Sequence, residues 1–559
     1  MQSTDDLVDS LLEDAARESA HQAEQQHAGD AATEPPEDKS SQASKLVAFV
    51  LDHCELFHDE NRDAFATLNG SGLTYRLDGR VFKDWLAASF YSAEGKSPRG
   101  QSVTEAIGTL SGIARHEREQ QAVFLRVGMA DAAYFIDLCE PKSSRAIELR
   151  PGSWRIADAP PIRFMRTEAM QPLPAPTGKG DLSKLWDVTN IPADKRVLIV
   201  AWLIDALRPD TPFPVLELGG EAGSAKSTTQ AILRSLIDPN AANLRTPPKA
   251  VDDCFVAAGV SWVVSYENVS HLPAPLQDAL CVLATGGGFA KRKLYSDADE
   301  SVINVKRPVI LNGISANVTA HDLADRAISI ELPVVENRAE SSNVWHVFTQ
   351  HQADIIAGLM TLAARALAIL PNIQVPAHER PRMLEFYSLG LAVGEVLKRD
   401  FKAQYLSTRH DAASRSIESS PVAAALVEWF EVNKRQAVEM PAKQLMQAVE
   451  HYKPEYAEAW PKSPRGFADA LRRAAPSLRQ VGIEVKQSSE KSGHDNVRTW
   501  RVERKKFQTT SALSATSANH PPHVDMADIA DVKTNFSRTD SSQNDEAGNS
   551  SHASHGEEF

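Results

Sequence analysis

The residues with the clearest chemical potential lie between Gly219 and Thr228, where a glycine-rich turn leads directly into a lysine and a serine. An apolar run, Val215–Leu218, precedes the turn, and a helical pattern follows it. Glycines let the backbone wrap so that its N–H groups face an anion, and a helix N-terminus adds its dipole. The pattern therefore predicts a P-loop that binds ATP with Mg²⁺. Its candidate binding residues are Gly220, Gly223, Ser224, Ala225, Lys226, Ser227 and Thr228.

Individual roles follow from the side chains of this turn. Lys226 can reach the β- and γ-phosphates, and the Ser227 hydroxyl can ligate Mg²⁺. Ala225 stands where the P-loop pattern has glycine. Alanine is tolerated there if its φ is negative, so this difference weakens the match to the pattern slightly. The alternative is a glycine-rich turn followed by a surface lysine.

A second apolar run, residues 260–266, ends in Glu267 and Asn268. An acid after a buried strand can hold the Mg²⁺ shell or polarise the attacking water, so Glu267 is a candidate metal ligand and catalytic residue. The alternative is a structural glutamate at a strand end. Asn268 occupies the place of a second acid, which leaves the identity of the catalytic base open.

Two further candidates come later in the same region. Asn312 ends the apolar run 307–311 and would orient water near the γ-phosphate, although Asn-Gly is also an ordinary turn. Arg326 opens the next strand and would act as a trans-acting finger or a γ-phosphate sensor. Its alternative role is a surface ion pair with Asp325.

Basic residues in two places suit nucleic acid. Lys291, Arg292 and Lys293 follow three glycines in a predicted mobile loop that would grip a nucleic-acid backbone, unless it is a solvated basic turn. Residues 461–506 hold 12 basic and 5 acidic side chains, a net charge of +7, in an order that resembles a winged helix. Such a module contacts DNA or docks a protein. The candidate phosphate contacts on its helix are Arg465, Arg472 and Arg473.

These residues require an α/β core with smaller modules around it. Residues 45–175 read as an α+β domain in which no convincing set of carboxylates converges, so a docking or scaffold role is predicted. The proline-rich stretch 172–176 reads as a linker. The predicted units are the P-loop ATPase domain 176–335, a helical region 336–415 and the winged-helix-like domain 416–506, between disordered acidic tails at 1–44 and 507–559.

The net charge of −14 is unevenly distributed. Residues 1–44 carry −9 and residues 507–559 carry −6, so the part between them is close to neutral. The acidic total therefore does not exclude nucleic acid as a partner. The four cysteines are scattered, no signal segment is visible and no apolar run reaches the length of a membrane span, which favours a cytoplasmic protein without a membrane partner.

The order of motifs resembles a phage or prophage ATPase family related to superfamily 3 replicative helicases and to the helicase half of primase–helicases. The resemblance covers roughly residues 50–505 and is sharpest over 212–333, through the P-loop, Tyr-Glu-Asn, Thr-Gly-Gly-Gly-Phe, Lys-Arg-Lys-Leu-Tyr and Asp-Leu-Ala-Asp-Arg. It implies an AAA+-like core and a mobile-element replication protein. By resemblance, Asn312 is the sensor, Arg326 the sensor or finger arginine, and Arg292 part of a DNA-gripping hairpin. It also implies a homo-oligomeric ring, usually a hexamer, around DNA.

The sequence thus predicts an ATP-dependent DNA motor, a replicative helicase acting on single-stranded or forked DNA. Two alternatives remain: a regulatory or loader ATPase that binds DNA without separating strands, and an interaction scaffold of low turnover. The acidic tails are candidate sites for replication partners.

Overall fold

The structure, a computed structural model of the 559-residue chain, describes residues 41–177, 180–292, 300–314, 318–336, 340–455, 460–492 and 497–505. Within these ranges the mixed α/β fold predicted from the sequence is confirmed. The predictions for the acidic tails fall almost wholly outside the described residues, as does the one for Lys293. The first helix starts at Gln42, so disorder is a wrong prediction for residues 42–44.

An N-terminal module packs three helices with a three-stranded antiparallel sheet. Ser41 caps the first helix by accepting a hydrogen bond from the N–H of Ser44 at 3.1 Å. The module buries a hydrophobic cluster of its own around Leu46, Phe82 and Leu110. Its elements are α1 (Gln42–His53), β1 (Cys54–His58), β2 (Ala64–Leu68), β3 (Thr74–Arg76), α2 (Arg80–Glu94) and α3 (Gly100–His116).

A four-stranded antiparallel sheet of order β5-β6-β7-β8 comes next. Its residues Val127 and Leu149 belong to the largest hydrophobic cluster, together with residues of the parallel sheet such as Leu216 and Ile310. Leu173, in the stretch predicted to be a linker, is 2% exposed and donates its N–H to the carbonyl of Leu138 at 2.9 Å. This stretch is therefore packed structure and not a free linker. The strands are β4 (Val123–Phe124), β5 (Val127–Ala130), β6 (Ala133–Asp137), β7 (Ala146–Arg150), β8 (Ser153–Ala157) and β9 (Arg163–Phe164), with β4 and β9 forming a short parallel pair.

The central sheet is parallel and has four strands: β10 (Val215–Gly219), β11 (Val264–Tyr266), β14 (Val309–Asn312) and β15 (Ala327–Glu331). Their order across the sheet is β11-β14-β10-β15. The helices of this region are α4 (Leu185–Val188), α5 (Arg196–Asp205), α6 (Lys226–Ser235), α7 (Val251–Val260), α8 (Ala274–Thr285) and α9 (His321–Ala324). Because the strands are parallel, their carboxyl ends meet at one edge, where α/β sheets bind ligands.

After α8 the chain forms a β-hairpin, as the family resemblance implies, where the glycines alone predict a mobile loop. Strand β12 (Gly287–Arg292) pairs antiparallel with β13 (Glu300–Val305), in a register that sets Gly287 opposite Val305 and Arg292 opposite Glu300. β-branched residues in β13 favour the extended backbone and outweigh the glycines of β12. Lys291 and Arg292 thus lie at the end of β12 that leads into the connection.

Long helices follow the central sheet, as predicted: α10 (Ser341–Ile369), α11 (Leu384–Leu397) and α12 (Phe401–Glu418). Gly390 allows close packing, since a methyl group there would overlap the Phe401 ring. Within the described residues, the helical stretch 341–372 is long and apolar enough to cross a membrane, which the sequence reading missed. Its most apolar part is 56% buried inside the protein, and buried core helices meet the same criterion.

The C-terminal module has the order helix, strand, helix, helix, strand, strand, which is typical of a winged helix. Its antiparallel sheet has the order β16-β18-β17 and packs through Trp500 against Phe467 and Leu471 of the last helix. The elements are α13 (Pro421–Val432), β16 (Ala437–Pro441), α14 (Ala442–Val449), α15 (Pro464–Gln480), β17 (Ile483–Ser492) and β18 (Val497–Arg504).

One buried aspartate joins the central sheet to the antiparallel sheet before it. Asp238, which follows α6, accepts hydrogen bonds from Arg126 Nε at 3.1 Å and from the N–H groups of Trp262 and Val263 at 3.0 and 3.1 Å. Arg234 Nη2 lies 3.8 Å from the same carboxylate. The Asp238, Arg126 and Arg234 side chains have no exposed surface. This cluster attaches the start of β11 and the end of α6 to Arg126, which lies between β4 and β5.

Candidate nucleotide site and nucleic-acid surfaces

The turn between β10 and α6 needs glycine at its first residue, Gly220. Gly220 has a φ of 140°, and a Cβ there would lie 2.6 Å from the carbonyl oxygen of Leu332 and 2.7 Å from Ser224 Oγ. Gly223 also has a positive φ, 89°, in the exposed part of the turn. Asn190 holds the turn from outside, donating from Nδ2 to the carbonyl of Ser224 at 3.1 Å. The turn is thus a preformed concave loop ahead of a helix.

Ala225 does not have the negative φ under which alanine is readily tolerated at this position. Its φ is 57° and its ψ is 28°, the left-handed conformation that glycine adopts in this place of the P-loop pattern. The backbone of the loop therefore follows the path that a glycine at this position would take, although the residue is alanine. A Cβ in this conformation costs about 1 kcal/mol.

Replacing Ala225 by glycine should raise stability by about 0.5–1 kcal/mol, because it removes the left-handed penalty, although a freer unfolded chain offsets part of the gain. The measurement is the midpoint of chemical unfolding. Gly108 lies in the middle of α3 with nothing within 4 Å of its Cβ direction, and Gly108→Ala should also stabilise there. A loss of stability in Ala225→Gly would contradict the backbone strain that we infer at Ala225.

Lys226 is buried, with 8% of its surface exposed, and its ammonium group lies inside the loop. Nζ donates to the carbonyls of Gly220 at 2.6 Å and Glu221 at 2.7 Å, and to Ser224 Oγ at 3.2 Å. Burial lowers the pKa of Lys226, and the nearby Glu331 carboxylate partly opposes that shift. The lysine is thus held where it would contact an anion bound in the loop.

The first turn of α6 completes an anion site. The helix starts at Lys226, and its N-cap Ala225 makes no side-chain hydrogen bond. The N–H groups of Lys226, Ser227 and Thr228 therefore have no helix carbonyl to pair with and point toward the loop. A concave loop, a buried ammonium group and a free helix terminus fit a nucleoside triphosphate.

Glu267 and Asn312 follow neighbouring strands at the same sheet edge. Glu267 is half-buried directly after β11, and its N–H donates to the carbonyl of Arg245 at 2.8 Å. Asn268 is exposed and left-handed, with a φ of 51°, a conformation that asparagine tolerates. Asn312 is fully buried, and its amide accepts the N–H of Asn268 at 3.1 Å and donates to Gln230 Oε1 at 2.6 Å. Its two polar atoms are therefore engaged inside the protein.

The expected Mg²⁺ ligands are one hydroxyl, Ser227, and one carboxylate, Glu267. Among the described residues no group of three or more His, Cys, Asp or Glu side chains converges on a metal position. Mg²⁺ that binds with nucleotide phosphates needs only one or two protein ligands and keeps several waters. The donor set fits nucleotide-bound Mg²⁺ and not a metal held by protein alone.

Sequence reasoning missed three residues around the loop. Glu331 ends β15, and a Cβ on Gly219 would overlap its carboxylate, so the acid lies beside the loop entrance. Gln230 and Asn190 contact the site from within the protein. An acid at the end of an apolar strand is a signal that identifies Glu331, whereas the sequence gives no signal for Asn190.

Arg326 is not paired with the aspartate that the sequence suggests. Its Nη1 donates to the carbonyl of Asp322 at 3.0 Å and forms an ion pair with the Asp322 carboxylate, and the side chain is 11% exposed. Asp325 instead pairs with Arg409 and His321 and accepts a hydrogen bond from Gln480. Both partners of Asp325 on α12 and α15 belong to segments distant in sequence, so residue spacing could not identify them.

The candidate nucleic-acid contacts lie in two elements. Lys291 and Arg292 end strand β12, and Lys293 lies outside the described residues. Arg465 and Arg473 are exposed on α15. Arg472 on the same helix is also exposed, but its side chain pairs with Asp469 and lies over the Trp500 ring, 5.5 Å from its centroid.

Comparison with known families matches two parts of the chain. Residues 182–396 match the family described as the actinomycete integrative conjugative element replication protein. Residues 422–516 match the AICE RepA C-terminal domain. The first range contains the central sheet with the loop, and the second contains the C-terminal module. These matches support a role in DNA replication. The matched models describe proteins of integrative conjugative elements, whereas the sequence resemblance pointed to phage or prophage.

Solved structures give only distant likenesses. The protein described as "SCCmec type IV Cch - active helicase" is 11% identical, with 81% of this chain and 93% of that chain covered and a TM-score of 0.44. The apo A form of the NrS-1 C terminal region (305–718) is 13% identical, with 82% and 98% covered and a TM-score of 0.35. At these TM-scores nothing about the chain's activity follows. No curated protein matches the sequence significantly.

Proposed function

We propose that this chain, two parts of which match the family of actinomycete integrative conjugative element replication proteins, is an ATP-dependent DNA motor of helicase type with an AAA+-like P-loop core. It would work in the cytoplasm as a homo-oligomeric ring. Coupling of ATP hydrolysis to DNA translocation or unwinding is its proposed activity. The acidic tails are proposed contacts for replication partners.

The observation that carries the proposal is the loop ahead of α6. Its lysine is buried and bonded to loop oxygens, its helix terminus offers three N–H groups, and Ala225 keeps the left-handed backbone of the P-loop pattern. The strand β14 lies between β10 and β11, so the loop, Asn312 and Glu267 meet at one edge. A surface lysine after an ordinary turn would have none of these features.

Each residue then has a defined task. The Lys226 ammonium group and the N–H groups of Ser227 and Thr228 bind the β- and γ-phosphates. Bound Mg²⁺ would offset the negative charge of the phosphate oxygens, with Ser227 and Glu267 as its protein ligands. The Glu267 carboxylate can also accept a proton from the attacking water. Arg326 remains the proposed finger or sensor. To bind a phosphate, its guanidinium group would have to leave the Asp322 carboxylate.

DNA contact is proposed for the β12–β13 hairpin and for helix α15. The hairpin carries Lys291 and Arg292 toward its connection, and α15 exposes Arg465 and Arg473. Guanidinium and ammonium groups bind phosphates without reading sequence. Movement of the hairpin during ATP hydrolysis would pull the bound DNA strand.

Replacing Lys226 by alanine should lower ATP hydrolysis by about 10²–10³-fold, because it removes a preorganised positive charge from the phosphate site. The measurement is steady-state phosphate release with and without single-stranded DNA, together with strand displacement. Lys249, an exposed lysine next to α7, gives the matched control Lys249→Ala, which should keep the wild-type rate.

The same assays separate the alternatives. DNA-stimulated hydrolysis without strand displacement would favour the loader or regulatory ATPase over the motor. A wild-type rate no higher than that of Lys226→Ala would leave the low-turnover interaction scaffold, the alternative that Asn268 in place of a second acid keeps open.

Charge reversal on α15 should weaken DNA binding. We expect Arg465→Glu and Arg473→Glu each to lower affinity for DNA of any sequence and to reduce the salt dependence of log K by about one phosphate contact. Arg472→Glu should have a smaller effect on binding, since Asp469 and Trp500 already engage that side chain. Fluorescence anisotropy over a salt series measures all three. Lys96→Glu, at an exposed position after α2, is the control, and an equal loss there would overturn the α15 assignment.

A further inference from the structure

Two buried amides link the loop helix to the segment that carries Glu267. Gln230 lies one turn after Lys226 on the same face of α6 and has no exposed surface. Its Oε1 accepts a hydrogen bond from Asn312 Nδ2 at 2.6 Å, and Asn312 Oδ1 accepts one from the N–H of Asn268 at 3.1 Å. The chain of bonds runs from the phosphate loop to the residue that follows the acid.

The direction of these bonds is fixed by their surroundings. Gln230 Nε2 donates to Ser265 Oγ at 2.8 Å and to the carbonyl of Tyr266 at 3.0 Å, which leaves Oε1 to face Asn312. A reversed Gln230 amide would set donor against donor at Asn312, and a reversed Asn312 amide would set donor against the Asn268 N–H. Each amide therefore fixes the other.

The backbone at Asn268 depends on this support. Its φ of 51° makes the turn left-handed directly after Glu267. Asn312 holds that turn twice, through its side chain at Asn268 and through its carbonyl, which accepts the N–H of Val269 at 2.9 Å. Small changes at Asn312 will thus re-aim the Glu267 carboxylate.

We propose that Gln230 and Asn312 are positioning residues that hold Glu267 in register with the phosphate loop. Asn312 acts through the Asn268 N–H, because its side chain has no exposed surface and its Oδ1 and Nδ2 each already make a hydrogen bond inside the protein. Gln230 couples α6, which begins at the phosphate-binding lysine, to the acid on the far side of β14. The inference rests on the proposed ATP hydrolysis for its kinetic consequence but not for its structural one.

The structural consequence can be measured on the full chain without nucleotide. Gln230→Met keeps the length of the side chain and removes its polar atoms. We expect amide hydrogen exchange at Asn268 and Val269 to become about tenfold faster, since the buried Asn312 Nδ2 loses its acceptor and no longer holds the Asn312 amide in place. Gln277→Met is the matched control: Gln277 is also buried and bonds Leu272, Thr319 and Ala320, away from the acid. Its variant should leave exchange at 268–269 unchanged.

The kinetic consequence is a fall in kcat of about tenfold or more in Gln230→Met, with the KM for ATP changed much less, because the phosphate contacts stay in place. The double variant Gln230→Asn with Asn312→Gln moves one methylene from one side chain to the other. It should recover part of the loss of kcat that each single change causes. A merely structural role would lower stability in Gln230→Met and Gln277→Met alike without this division between kcat and KM.

The hydrogen-exchange and activity measurements test the inference and the proposed function independently. Unchanged exchange at 268–269 in Gln230→Met overturns the inference whatever the activity. Faster exchange with an unaltered kcat overturns the positioning role. Should wild type hydrolyse no more ATP than Lys226→Ala, the proposed function fails, while faster exchange confined to Gln230→Met still supports the link between α6 and the Glu267 turn.

Discussion

Replacing Asp238 by alanine should destabilise the protein by about 3–5 kcal/mol, the largest effect on stability that we expect from one substitution. The variant leaves Arg126 and Arg234 fully buried without their carboxylate. It also leaves the N–H groups of Trp262 and Val263 unpaired at the start of β11. Chemical denaturation followed by tryptophan fluorescence measures the loss, since Trp262 lies in this core.

The control for Asp238→Ala is Asp278→Ala, an aspartate-to-alanine change at an exposed position of α8, which should be close to neutral. Asp238→Asn keeps the size of the side chain and one acceptor oxygen, so its cost should lie between the two. Equal stability of Asp238→Ala and Asp278→Ala would show that the buried arginines find other partners and that the two sheets are not joined through Asp238.

Local patterns in the sequence predict the elements of the site well, because each is an apolar run followed by a polar residue. Val215–Leu218, residues 260–266 and residues 307–311 all precede or form strands of the central sheet. Parallel pairing then brings Glu267 and Asn312 to one edge without further information from the sequence. The loop was therefore predictable down to its lysine, although the φ of Ala225 was not.

What the sequence could not predict depends on partners distant in the chain. Arg126 and Asp238 are 112 residues apart, and neither has a local pattern that names the other. The stretch 172–176 has the composition of a linker, yet Leu173 finds a place in the main core. Arg326 has two aspartates within reach on α9 and after it, and only the packing of α12 and α15 around Asp325 decides which one it takes.

Replacing Glu267 by glutamine should lower ATP hydrolysis by about 10²–10⁴-fold while ATP still binds, because glutamine keeps the shape of the side chain but cannot accept a proton from water. Lys226 and the first turn of α6, which are proposed to hold the phosphates, are unchanged in this variant. Single-turnover hydrolysis measures the rate, and equilibrium binding of a fluorescent ATP analogue measures the affinity. Loss of binding together with hydrolysis would instead make Glu267 mainly a Mg²⁺ ligand.

Glu331→Gln is the matched comparison, since Glu331 is the second carboxylate beside the loop and lies near Lys226. Its negative charge faces the site that would bind phosphates, so neutralising it should strengthen ATP binding modestly and leave turnover within a few-fold of wild type. The reverse pattern, with turnover lost in Glu331→Gln and kept in Glu267→Gln, would move the catalytic base from the end of β11 to the end of β15. Because Asn268 offers no second acid after β11, these two variants decide between the carboxylate that follows β11 and the carboxylate that ends β15.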